Sequence, residues 1–215
     1  MTTEQSRATS RLQRLELAAT IVLALATVAT AWSGFEATRW GQEVTKATAA
    51  VNSARSAATR ADGLANTQSQ VDVATFSSWA DAYARGETTL SDFYFARFRA
   101  EFKPAVEAWI ATMPLQNPDA PLTPFAMEEY VLEARQEAER QDQIASENAA
   151  KVRVNIQRQS NYVLAVVLFA TALFFAGASN RVSQPGLRLF VLGMGCVVFL
   201  GTLAWVATLP VSLSV

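Results

Sequence analysis

The stretch YVLAVVLFATALFF, residues 162–175, decides the fold because it is the core of twenty-two uncharged residues between Arg158 and Arg181. A helix needs roughly 20 apolar residues to cross a bilayer. Further uncharged stretches lie at 17–35 and after Arg188. Unpaired backbone groups are costly in hydrocarbon, and three spans are too few to close a barrel. The sequence therefore predicts an all-α integral membrane protein with three transmembrane helices.

Charged residues bound each predicted span and define the layout of the chain. Pro210 is expected to end the third span, because proline interrupts the hydrogen bonds of a helix. The expected segments are a cytoplasmic N-terminus (1–16), a first transmembrane helix (17–35), a helical extramembrane domain (36–160), a second transmembrane helix (161–179), a short cytoplasmic loop (180–188), a third transmembrane helix (189–209) and a tail (210–215).

Composition supports membrane insertion and argues against several common chemistries. The 215 residues are 51% hydrophobic and only 17% charged, with a mean hydropathy of +0.14, which is apolar for a water-soluble domain. A net charge of -1 provides no basic surface for nucleic acid. The chain has no histidine and one cysteine, Cys196. This argues against the usual zinc, haem and catalytic-triad sites, and excludes an intrachain disulfide.

The predicted orientation rests on arginines in the short segments, since basic residues near helix ends stay in the cytoplasm. We expect a cytoplasmic N-terminus and residues 36–160 on the outer side; the reverse orientation stays open. A cleaved signal peptide is an alternative for the first span, because Ala29-Thr30-Ala31 fits a cleavage site, but the stretch exceeds a typical signal core. The basic residues that share one side of the three-span layout are Arg7, Arg11, Arg14, Arg181 and Arg188.

Residues 36–160 are expected to form a long antiparallel helical hairpin. No proline occurs between Trp32 and about Arg85, so the first-span helix can continue beyond the membrane. Thr123-Pro124 has the cap and first-turn residue types of a second long helix, which then runs into the second span. Glu128 and Glu129 would lie in its first turn, where the helix dipole favours carboxylates.

Small and apolar residues recur along both arms of the expected hairpin, as in an alanine-rich coiled coil. Such seams bury little area. They can be covered by a second protomer, giving a homo-oligomer, or by packing within one chain, and the sequence leaves both open. The stripes are Val44, Ala47, Val51, Ala54, Ala58, Ala61 and Ala65 in the first arm, and Val131, Ala134, Ala138, Ala145, Val152 and Ile156 in the second.

The segment from Leu90 to Met113 is rich in aromatic residues and is expected to cap the hairpin with two short helices separated at Pro104. Its rings can form a small hydrophobic core. The functional interpretation is a partner-binding patch. The proline-rich loop 114–124 is expected to be a rigid connector or a recognition element. The candidate partner-binding residues are Phe93, Tyr94, Phe98, Phe102 and Trp109.

Motifs typical of catalytic, cofactor-binding or metal sites are missing from the sequence. Glutamates cluster at 128–139 but without the histidines of a helical di-metal site, which favours a solvated acidic face. We therefore expect no enzyme activity, no catalytic residue, no cofactor and no bound metal. The predicted spans contain no charged residue, which disfavours transport by this chain alone. They do contain small residues suited to close helix packing, namely Ala172, Ala176, Gly193 and Gly195.

Two short stretches resemble a group of uncharacterised bacterial inner-membrane proteins with three spans and a helical insert between the first and second. They are AWSGFEATRW at 31–40 and NPDAP at 117–121, followed by the closing pair of spans. The resemblance implies a bacterial inner-membrane location and no particular activity. The outline also resembles chemoreceptor sensory modules, although we do not expect the cytoplasmic signalling region of those proteins here.

These observations lead to a functional expectation in general terms. We expect a non-enzymatic membrane protein whose extramembrane hairpin scaffolds a membrane complex or binds a protein partner. One alternative is a subunit of a channel, transporter or ion-driven motor, whose spans assemble around a partner helix. A second alternative is a truncated sensory module. Partner identity and oligomeric state are not encoded in any motif of the sequence.

Overall fold

A computed structural model describes the backbone of residues 3–212 and the side chains of residues 16–212. The side chains of Arg7, Arg11 and Arg14 lie outside the described part, as do residues 213–215 of the predicted tail. The all-helical prediction is confirmed for the described residues, whose regular elements are α1 (Thr3–Ala84), α2 (Thr88–Arg97), α3 (Lys103–Ala111), a 3-10 helix (Pro124–Ala126), α4 (Glu133–Ser179) and α5 (Pro185–Val206).

Three helical segments in the described part of the chain are long and apolar enough to cross a membrane. They are Glu16–Ala84, Glu133–Ser179 and Pro185–Val206. The predicted number of candidate spans is therefore confirmed. The third candidate span, α5, ends at Val206, earlier than the predicted end at Leu209.

The chain divides into two compact units, and both α1 and α4 contribute to each. Unit 1 comprises Met1–Ala49 and Asn148–Val215, and unit 2 comprises Ala50–Glu147. Unit 1 contains the uncharged stretches, whereas unit 2 contains the aromatic-rich segment and the proline-rich loop.

Unit 1 is packed through small residues. Ala26 of α1, Ala165 and Phe169 of α4, and Phe199 of α5 belong to one buried cluster, so all three helices meet there. Closer to the N-terminus of α4, the Gln159 side chain lies directly against Gly41 of α1. In these contacts, a later residue of α1 lies beside an earlier residue of α4. The two helices are therefore antiparallel within this unit.

Unit 2 is packed through aromatic rings. Phe76 and Trp79 of α1 form a buried cluster with Phe98, Phe102 and residues of α3. α1 ends beside this cluster because Gly86 adopts a left-handed conformation, with φ 74°. The Glu87 N–H then donates to the Ala82 carbonyl at 3.0 Å, an arrangement typical of helix C-termini.

The predicted start of the second long helix is wrong. Thr123-Pro124 opens only the short 3-10 helix, and α4 begins at Glu133. Met127 is extended and breaks the helical path, because the Phe125 and Tyr130 rings turn inward to contact Phe102. The carboxylate in the first turn of α4 is therefore that of Glu133, whereas Glu128 and Glu129 precede the helix.

The stripe predicted on the second arm is partly misplaced. Ala138 and Ala145 are buried, but Val131 and Ile156 are exposed. Val131 precedes the start of α4 at Glu133 and so does not continue its helical stripe, whereas Ile156 lies within α4 and is exposed all the same. On the first arm, Val51, Ala54, Ala58 and Ala65 are buried, whereas the other three residues of the predicted stripe, Val44, Ala47 and Ala61, are only partly buried.

Candidate functional site

Unit 1 buries a carboxylate at the end of an uncharged stretch. Glu36 is 1% exposed, and its Oε2 accepts a hydrogen bond from the Ser212 backbone N–H at 2.9 Å. Buried carboxylates require such partners, because removing a charge from water is costly. The segment following α5 therefore returns to α1 and supplies a donor to this residue.

A second contact fixes the same segment. Tyr162 of α4 is fully buried and packs with Ala37 and Trp40, with Leu209 against the cluster. Its hydroxyl donates to the Pro210 carbonyl at 3.2 Å. Residues 207–212, which we name the docked tail, are thus held on both α1 and α4.

A groove of about 600 Å³ opens beside the docked tail. Trp40 forms one wall, and the Arg158 guanidinium lies 4.5 Å from its ring centroid, a favourable cation–π distance. We name this the tail groove; its lining residues are Trp40, Glu43, Ala150, Lys151, Val154, Asn155, Arg158, Val211 and Ser212.

A second polar contact lies at the other end of the uncharged stretch of α1. Arg188 of α5 is buried and forms a 3.4 Å ion pair with Glu16. It also donates to the Asn180 Oδ1 at 3.3 Å. The Arg188–Glu16 contact and the Glu36–Ser212 contact therefore lie at the two ends of the apolar packing in unit 1.

Unit 2 buries a carboxylate with a full set of partners. The Arg99 Nε and Nη2 donate to the two oxygens of Asp72 at 3.0 and 2.9 Å. The Tyr130 hydroxyl donates to the same carboxylate at 3.3 Å and lies 3.2 Å from Ser69 Oγ. Hydrogen bonding to Asp72 raises the pKa of Arg99, and burial raises the pKa of Tyr130. Arg99 therefore stays protonated and the phenol neutral at pH 7.

The loop between α3 and the 3-10 helix, residues 112–123, is ordered by its own hydrogen bonds. The Trp109 indole N–H donates to the Pro121 carbonyl at 2.6 Å. Asn117 donates through Nδ2 to the Thr112 carbonyl at 3.3 Å, and its Oδ1 accepts from the Asp119 N–H at 3.0 Å. Despite this order, the loop leaves three large apolar side chains in solvent: Met113 at 60%, Leu115 at 66% and Leu122 at 94% exposure. We name it the apolar loop.

The structure separates the five aromatic residues that were candidates for partner binding. Phe98, Phe102 and Trp109 are buried in the core of unit 2. Tyr94 packs partly against this core, and Phe93 is 47% exposed beneath the Arg97 guanidinium, which lies 3.5 Å from its ring centroid. A partner could contact only Phe93 and Tyr94 without opening the core.

The four small residues proposed for helix packing also differ in environment. A Cβ added to Gly195 would lie 3.2 Å from the Phe175 Cβ and 3.4 Å from backbone atoms of Ala172 and Ala176. The structure thus brings together three of the four residues. Around Gly193, no described atom lies within 4 Å of an added Cβ.

Sequence reasoning missed the two buried carboxylates, and a repeat in α1 could have indicated one of them. Positions 58, 65, 72 and 79 are spaced by seven residues; Ala58, Ala65 and Trp79 are buried apolar residues, and Asp72 occupies the remaining position of that series. The sequence pattern indicates Glu36 only as the boundary of a span. Its contact with Ser212 joins residues distant in sequence, and no local pattern encodes it.

Within the described residues, no group of acidic or cysteine side chains is arranged to hold a metal ion. No protein-family model matches the chain, and searches of curated proteins and of solved structures found no significant match.

Proposed function

We propose that the three apolar helices cross a lipid bilayer and that the protein is a non-enzymatic, multi-pass membrane protein. The spacing of polar contacts supports this proposal. Glu36 follows Glu16 by twenty residues in α1 with no charged residue between them. This interval rises about 30 Å, the thickness of a hydrocarbon core.

The proposed location is a bacterial inner membrane, with the N-terminus and loop 180–188 in the cytoplasm and residues 36–160 outside. The arginine distribution supports this orientation. A cysteine introduced at exposed Gln70, in a Cys196→Ser background, should react with an impermeant thiol reagent in intact cells. Labelling only after cell lysis would contradict this orientation and indicate that residues 36–160 lie in the cytoplasm.

The extramembrane part is proposed to bind a protein partner and so to scaffold a membrane complex. The observation that carries this proposal is the apolar loop, which exposes Met113, Leu115 and Leu122 on a backbone already fixed by hydrogen bonds. Large exposed apolar side chains mark interaction surfaces. A preordered loop also loses less conformational entropy when it binds.

Site-specific photo-crosslinking tests the partner proposal. A photoreactive amino acid is placed at Leu122 in one variant and at Phe190 of α5 in another, and both are irradiated in living cells. The proposal predicts a discrete cross-linked protein from position 122. Replacing the exposed Met113, Leu115 and Leu122 by serine should abolish partner capture in mild detergent while leaving any homo-oligomer intact.

A subunit of a channel, transporter or ion-driven motor is the second candidate, and one feature of α5 favours it. Phe190, Gly193, Met194, Val197 and Val198 line an apolar groove of about 430 Å³ in which a partner helix could pack. Cross-linking from position 190 but not 122, together with loss of the complex in Gly193→Leu, would favour this candidate. A lone monomer with no cross-linked protein at either position would contradict both.

A further inference from the structure

The tail groove combines two cationic side chains with an amphipathic wall. Among the described residues, neither Lys151 nor Arg158 forms an ion pair with a carboxylate; Lys151 donates to Asn148 at 3.3 Å, and Arg158 lies over Trp40. Glu43 also lines the groove, but its carboxylate is bound by Lys46 at 2.7 Å. The groove therefore carries a local excess of positive charge.

A buried donor adds to this chemistry. Trp40 is 7% exposed, and its indole N–H is buried without a hydrogen-bond acceptor in the described structure. A buried donor without an acceptor is unfavourable. The ring that carries this donor lines the same groove as the two cations.

The other walls of the groove are apolar. Val154 of α4 and Val211 of the docked tail are both partly exposed there. Under the proposed membrane insertion, Glu36 marks the boundary of hydrocarbon, and Trp40 lies one helical turn beyond it. Tryptophan favours this interfacial level, where lipid phosphates lie.

We propose that the tail groove binds the phosphate of an anionic phospholipid, with Arg158 and Lys151 contacting the phosphate oxygens and Val211 of the docked tail contacting the start of the acyl chains. The inference rests on the proposed membrane insertion. Guanidinium and ammonium groups bind phosphate oxygens through charge-assisted hydrogen bonds. The apolar walls favour a lipid over a free phosphate ion, which has no group to place against them.

Native mass spectrometry of the full chain in non-ionic detergent tests this inference. Dioleoyl phosphatidylglycerol, dioleoyl phosphatidylcholine and inorganic phosphate are added in separate titrations. The wild-type protein should retain phosphatidylglycerol more tightly than phosphatidylcholine. The double variant Lys151→Gln/Arg158→Gln should lose about fivefold in affinity for phosphatidylglycerol per cation removed.

Matched variants control for net charge and folding. Arg140→Gln/Arg153→Gln removes the same charge from exposed positions of α4 and should bind phosphatidylglycerol as the wild type does. The single variant Lys151→Gln should lose about fivefold in affinity, less than the double variant. It supplies an independent test if the double variant does not fold.

Three outcomes would overturn the inference: equal retention of both lipids by the wild type, equal phosphatidylglycerol affinity in the groove and control variants, or displacement of phosphatidylglycerol by stoichiometric inorganic phosphate. The last would identify a site for a free phosphoanion. Failure of membrane insertion is seen separately, because the chain would then be soluble before detergent or lipid is added.

Discussion

The two units bury carboxylates in contrasting ways. In unit 2, Asp72 receives two hydrogen bonds from Arg99 and one from Tyr130, within an aromatic core. In unit 1, the hydrogen bond described for Glu36 comes from a single backbone N–H, that of Ser212. The hydrogen-bond donors to Asp72 are thus side chains of unit 2, whereas the donor to Glu36 belongs to the docked tail. The Glu36 hydrogen bond is lost if that segment leaves α1.

The packing around these carboxylates differs as well. Unit 2 has rings in contact, such as Phe102 and Phe125, whose centroids are 5.2 Å apart. Unit 1 has helices brought together by alanine and glycine. Large rings bury more apolar area than alanine does, so side-chain truncation should harm unit 2 most, whereas side-chain enlargement should harm unit 1 most.

The largest expected effect is that of Phe102→Ala. Removing this fully buried ring should cost about 3–5 kcal/mol in the opening free energy of unit 2, measured by hydrogen exchange of its amides. Phe93→Ala, at a half-exposed ring of the same segment, should cost about 0.5 kcal/mol. Similar costs at the two positions would contradict the aromatic core described for unit 2.

Arg99→Met should cost about 3 kcal/mol in the same measurement, because it leaves the Asp72 carboxylate buried without its cation. Combining it with Asp72→Leu should restore much of the loss, since no unpaired charge then remains. Arg97→Met, on the neighbouring exposed arginine, is the control. If the double variant is as unstable as the sum of its parts, the ion pair is not the cause.

Gly195→Val should lower the stability of unit 1 by about 1–3 kcal/mol, because the added atoms meet Phe175 and the backbone of α4. Gly193→Val introduces the same side chain where no described atom obstructs it. Thermal unfolding in detergent measures both. Equal melting temperatures would show that Gly195 is not in the tight contact described.

Glu36→Ala should release the docked tail while leaving the helices intact. The Ser212 amide should exchange its hydrogen about tenfold faster, because it loses its hydrogen-bond acceptor. Glu36→Gln keeps an acceptor oxygen and should retain most of the protection, and Glu43→Ala is the matched control. Unchanged exchange in Glu36→Ala would show that the tail is held by Tyr162 alone.

The smallest effect concerns pH. The pKa of Tyr130 is raised in the folded protein, so the stability that this phenol contributes is complete below the unfolded value of about 10. It is lost as pH rises through the folded pKa. Unit 2 of the wild type should therefore weaken more steeply above pH 10 than that of Tyr130→Phe, as measured by thermal unfolding. Parallel curves would contradict the burial of this hydroxyl.

Sequence patterns predicted the helices best where a single feature, such as a long uncharged stretch or the absence of proline, determined the structure. The uncharged stretches indicated three apolar helices, and the absence of proline indicated that α1 extends far beyond the first stretch. The start of α4 was mispredicted because the Phe125 and Tyr130 rings pack inward, which favours a break that local capping signals do not show.

The functional sites were less predictable. The tail groove depends on Ser212 returning to Glu36, and the Asp72 cluster joins residues twenty-seven or more apart. Such pairings follow from the register between helices, which alanine-rich stripes specify weakly. The aromatic segment was recognised, but its division into core and surface requires knowing where α2 ends, at Arg97.

Membrane insertion is the claim on which both functional proposals depend, and fractionation of the full chain tests it most directly. Cells expressing the protein are lysed, and the membranes are washed with alkaline carbonate and centrifuged at high speed, with and without non-ionic detergent. The account predicts that the chain sediments with the membranes after the wash and is released only by detergent. Recovery in the carbonate supernatant without detergent would contradict it.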